Sequence, residues 1–168
     1  MEQQLAFPCA SAEIVSDELM RKSLQFIQHG NISVFTHSVM VARYSERLAR
    51  FLKIKCDYKS LVRGALLHDF FLYDWHKPKS SPQQYGLHGF THPVIAAKNA
   101  CEHFNVSDRE YNIIIRHMWP LTITRIPKNK EGWLVCAVDK YCSLLETFKI
   151  APYSDQSVLD ELEKEQKN

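Results

Sequence analysis

Histidine and aspartate carry the chemistry in this sequence. Of eight histidines in 168 residues, His37, His68 and His117 fall on apolar faces of segments with helical spacing. Asp69 and Asp139 share such segments, and His92 stands just before Pro93, at the start of what reads as another helix. A carboxylate or imidazole on an apolar face is costly to bury without a partner. One alone is usually a hydrogen-bonded core residue or half of an ion pair. Six, spread over five segments, point to a shared partner. Donors of this mix suit Fe, Mn, Zn, Co or Ni rather than Ca. They also outnumber the protein ligands of one tetrahedral Zn. Two ions sharing a bridging carboxylate and a bridging hydroxide would use them all.

The elements that must position these residues read as helices throughout. A first helix is predicted from Asp17 to about Gln28, closed by His29-Gly30-Asn31. A second runs from Ser33 to about Leu52, with His37, Val41, Tyr44, Leu48 and Phe51 on one face. Asp57 caps a third, where Leu61, Ala65, His68 and Leu72 align. Residues 74–89 lack periodicity and read as a functional loop. A fourth helix is predicted over 93–103, with Pro93 in its first turn. The fifth is predicted over about 108–118 behind the capping box Ser107-Glu110, and the sixth over 132–149. From Asp155 the tail reads as a short exposed or frayed helix. No strand alternation and no dividing linker are evident, so the expectation is one all-α domain over 1–168, a helical bundle of six to seven helices.

Composition narrows the function classes. Hydrophobic residues make up 45% and charged residues 24%, as in an ordinary globular domain. A net charge of +2 is too even for a nucleic-acid coat. The five cysteines form neither a C-x-x-C pair nor an even framework, which favours a reduced compartment. The first residues lack the basic and apolar regions of a signal peptide, and no run is apolar enough to span a membrane. A cytoplasmic protein is expected, without a polymer or membrane partner; a homodimer is compatible with the sequence.

His37, the pair His68-Asp69 in GALLHDFF, His92 in THPVIAA, His117 in IIIRHMW and Asp139 in VCAVDKY together resemble the HD-domain metal-dependent phosphohydrolase superfamily. The likeness runs over about residues 33–148, and its two intermediate histidines are similar to those of binuclear members. The resemblance implies that His37, His68, Asp69 and Asp139 hold a first metal. It implies that Asp69 bridges to a second, which His92 and His117 complete. The two divalent ions would be Fe or Mn, with Zn, Co, Ni or Mg as alternatives. Such a pair activates water and neutralises developing charge in phosphoester or phosphoanhydride hydrolysis. The implied substrate is small, phosphorylated and nucleotide-like.

Loops beside the ligands supply further candidates. Asp74 is a candidate catalytic residue, able to orient or protonate. Lys77, His88, Arg116 and Lys140 are candidate substrate contacts, with His76, Lys79, Arg125 and Lys128 behind them. Trp75, Tyr85 and Trp119 are candidates for stacking on a base. His88 also competes with His92 as a ligand; the apolar run after Pro93 favours His92. Many family members have a phosphate-binding Lys just after the His-Asp pair, whereas Phe70, Phe71 and Leu72 stand here. A di-iron oxygenase or hydratase on the same ligands, or a non-catalytic nucleotide-sensing module, are the alternatives.

Overall fold

Capping side chains set most element boundaries. The computed structural model describes residues 9–77, 82 and 86–167. Among these, the order is α1 (Cys9–Ser16), α2 (Glu18–Lys22), a 3-10 turn (Ser23–Gln25), β1 (Ile27–His29), β2 (Ile32–Ser33), α3 (Val34–Phe51), α4 (Tyr58–Leu67), α5 (His88–His103), α6 (Asp108–Arg116), α7 (Lys130–Thr147) and α8 (Asp155–Lys167). Ser33, Asp57 and Asn129 accept backbone N–H groups at the starts of α3, α4 and α7. Ser107 and Glu110 form a reciprocal capping box on α6. The architecture is all-α, with one two-stranded hairpin.

The bundle is built on α3, which packs against α4 and α7, while α6 packs against α4, α5 and α7. Phe35, Val39, Leu66, Ile113 and Val135 lie in the common core. Side chains from α3 and α5 reach the site from their N-terminal turns, and those from α4 and α6 from their C-terminal ends. None of the described helices is long and apolar enough to cross a membrane.

Several boundaries differ from the sequence reading. The helix predicted to Gln28 stops at Lys22, and the chain turns into the hairpin. There Ile27 pairs with Ser33 and His29 with Ile32, and Gly30 reverses the chain at φ +59°. Helix α1, not expected, buries Ile14 and Val15. Helix α4 ends at Leu67, so Leu72 lies beyond it, and α5 begins at His88 rather than Pro93. Phe51 does not continue the buried stripe of α3; it is 80% exposed. The tail forms a 13-residue helix whose Val158 and Leu162 are buried. Arg43 pairs with Glu161 and Glu165 of that helix. Asp155 Oδ1 accepts from Ser33 N–H and Oγ–H at 3.1 and 2.9 Å.

Helix α4 packs tightly on α6 at Gly64, where an added Cβ would lie 2.7 Å from Ile113 Cδ1 and 3.0 Å from Ile113 Cβ. Because both helices end at the site, their spacing fixes its width. Gly64→Val should therefore destabilise the fold by about 1–3 kcal/mol, seen as a lower midpoint in denaturant titration with an unchanged slope.

Candidate metal centre

The two oxygens of Asp69 face different groups of imidazoles. Oδ2 lies 3.8 Å from His37 Nε2 and 3.4 Å from His68 Nε2. Oδ1 lies 3.2 Å from His92 Nε2 and 3.4 Å from His117 Nε2. Asp139 Oδ1 completes the first group, 3.2 Å from His37 Nε2 and 3.6 Å from His68 Nε2. The donor atoms of His37, His68, Asp69 and Asp139 lie within 4.8 Å of one another, as do those of Asp69, His92 and His117. All six residues are buried.

Each ring is aimed by its other nitrogen. His68 and His117 follow the last turns of α4 and α6. Their Nδ1–H groups donate back to the carbonyls of Ala65 and Ile114 at 2.6 and 2.7 Å. One turn into α5, His92 Nδ1–H donates to the His88 carbonyl at 2.7 Å. On α3, His37 Nδ1–H donates to Glu146 Oε2 at 2.8 Å. With all four Nδ1 positions used as donors, every Nε2 is directed into the cluster, the arrangement that ligating histidines require.

The donor set fits a divalent metal. His92 Nε2 and His117 Nε2 stand 2.9 Å apart with both Nδ1 atoms already donating, so their lone pairs need positive charge between them. His68 Nε2 and Asp69 Oδ1 are buried without a hydrogen-bond partner. Burial would raise Asp69, but His68 and His92 hold it well below the usual carboxylate range, and His37 and His68 do the same for Asp139. Burial would lower His37, yet Glu146 and Asp139 pull it well above 6.5. His68 is likewise pulled up to about 9 by Asp69 and Asp139, against its own burial. His117 falls to about 3, under burial and the neighbouring His68.

The remaining expected residues are placed differently. His88 does not reach Asp69. Its ring stacks between Trp75 (4.7 Å, 6°) and His92 (4.5 Å, 21°), and its Nδ1 meets Tyr73 Oη at 3.1 Å. Asp74 holds the turn after Tyr73, accepting from His76 N–H at 3.0 Å and pairing with Lys77 Nζ at 3.1 Å. Lys140 Nζ donates to the His117 carbonyl at 2.8 Å and lies 3.5 Å from Asp139 Oδ2, at the rim of the cluster. Arg116 turns the other way and donates to the Ile126 carbonyl. Trp119 packs edge-on against Trp133. Lys79 and Tyr85 lie outside the described residues.

Four contributors escaped the sequence reading. Glu146 fixes His37 and in turn accepts from Tyr153 Oη–H at 2.8 Å. Its signal was present, because it continues the Asp139–Cys142 face of α7 by one more turn. Gln28 Nε2–H donates to Asp69 Oδ2 at 2.6 Å, and His29 stands edge-on 5.6 Å from the His37 ring. A three-residue strand carries no pattern that would have singled them out.

Two outcomes follow. Glu146→Gln should weaken metal binding about 10–100-fold, measured by competition with a chelator. In the metal-free chain, the raised His68 contributes stability that is complete below pH 6.5 and is lost as pH rises through about 9. The thermal midpoint of metal-free protein should fall over that interval. Divalent metal should reduce the fall and release protons on binding, measurable by calorimetry in buffers of different ionisation heat.

Neither the curated proteins nor the solved structures contain a match to this chain. The family model described as HD domain matches residues 34–144, a span that holds all six converging residues. With more than half of the chain matched and the His68-Asp69 pair at the centre of the cluster, the chain belongs to the HD domain family.

Proposed function

We infer that this chain is a metal-dependent phosphohydrolase that uses two divalent ions, Fe or Mn, to cleave a small, nucleotide-like phosphoester or phosphoanhydride. The observation that carries this reading is the division of Asp69, one oxygen toward His37 and His68 and the other toward His92 and His117. The group implied by these ligands supplies Lewis acidity and an acidified water when bound. In hydrolysis the water oxygen makes a new bond to phosphorus, the bond to the leaving oxygen breaks, and a proton from water ends on that oxygen.

The chain's own residues prepare this step. His37, His68, His92 and His117 have their tautomers fixed, so the donors need no rearrangement during the reaction. The half-exposed ammonium of Lys140 beside Asp139 can meet a phosphoryl oxygen, the role left open by Phe70-Phe71-Leu72. His88 and Trp75 form the aromatic wall beside His92, and the Asp74–Lys77 pair borders it. That wall also favours a second reading, a di-iron oxygenase acting on a less charged substrate. Oxygen consumption by the reduced iron form, in place of phosphate release, would select it.

Elemental analysis of protein prepared anaerobically, followed by a phosphoester and nucleotide screen, tests the proposal. Wild type should carry about two equivalents of metal per chain. Asp69→Ala should lose metal and turnover together. His92→Ala should retain the first ion and lose chiefly the second. Turnover that survives in Asp69→Ala would refute the reading.

A further inference from the structure

The hairpin lies outside the family match, yet it sends one side chain into the cluster. Gln28 is 4% exposed, and its Nε2–H donates to Asp69 Oδ2 at 2.6 Å. That bond fixes the orientation of the amide. Its other end, Oε1, is buried and has no protein partner. An unsatisfied buried acceptor is destabilising, a cost that tethering Asp69 alone would not require.

The hairpin also holds this amide firmly. Gly30, at φ +59°, packs so closely on α7 that an added Cβ would come 2.2 Å from the Glu146 carbonyl oxygen. Val34 N–H donates to the Phe26 carbonyl at 2.8 Å, and Asp155 anchors Ser33. Gln28 therefore presents an acceptor at a set position beside the bridging carboxylate. The oxygens of an ionised phosphoryl group accept hydrogen bonds and would be repelled by Oε1. Water has the O–H that Oε1 needs.

We propose that Gln28 is a catalytic, water-orienting residue: Oε1 accepts a hydrogen bond from the attacking water while Nε2 stays tethered to Asp69, turning a water lone pair toward phosphorus. The amide remains neutral and takes no proton. The inference rests on the hydrolytic reading given above.

The test uses the full chain as wild type, Gln28→Leu and the near-isosteric Gln28→Met, each loaded with Mn²⁺. Metal content is measured by elemental analysis, and exchangeable water at Mn²⁺ by ¹⁷O-water relaxation. Turnover is followed on p-nitrophenyl phosphate and bis(p-nitrophenyl) phosphate. Metal content should be unchanged, the exchangeable-water signal should weaken, and kcat should fall on the order of 10²-fold with KM little altered. An unchanged water signal in both metal-replete variants would overturn the proposal. So would loss of metal from both, which would reduce Gln28 to a support for Asp69. If wild type hydrolyses neither phosphoester nor any nucleotide of the screen above, the hydrolytic reading fails, and the water signal still decides whether Gln28 holds water at the ions.

Discussion

Two ionised carboxylates, Asp69 and Asp139, are buried inside a small helical bundle, and the arrangement around them answers that burial. An uncompensated carboxylate in such a place is strongly destabilising. Four imidazoles turn their Nε2 atoms toward these oxygens, and in the metal-free chain protons on His37 and His68 supply the positive charge. A divalent ion does the same task with more charge and with directed bonds. The fold thus holds the site together in both states, by exchanging protons for metal.

Helix ends make this density of donors possible. Had His68 and Asp69 both stood mid-helix, they would have diverged by about 100° around its axis. Because α4 ends at Leu67, the turn that follows lets both point inward, while the His68 ring satisfies the Ala65 carbonyl that the ending helix leaves open. The His117 ring does so for α6. One hydrogen bond therefore serves two purposes, completing the helix terminus and fixing the tautomer of the ligand.

A second layer comes from outside the matched span 34–144. Gln28 touches Asp69 from the hairpin, Glu146 holds His37, and Tyr153 holds Glu146. Helix α8 secures this layer, with Asp155 bound to Ser33 and Glu161 and Glu165 bound to Arg43. These segments lock the cluster from the side of α3 and α7. Beside His92, the Trp75 and His88 rings form the adjoining wall.

The sequence by itself determined the all-α class, the caps at Asp57 and Ser107, and the six converging residues. Each of these is written in local chemistry: a capping side chain three residues before its donor, or a polar residue on an apolar stripe. Tertiary structure alone decided the rest. The stretch before His29 has enough polar and acidic residues to read as helix, but the close approach of Gly30 to Glu146 makes it a hairpin and delivers Gln28 to Asp69. His88 and His92 are four residues apart on one helix; which of them reaches Asp69 depends on where α5 packs. The C-terminal helix shows only Val158, Leu159 and Leu162 as apolar residues, too few to mark it as docked until Arg43 and Ser33 provide its partners. Periodicity records which face of an element is buried, whereas the identity of the atom that meets it is fixed by segments far away in the chain.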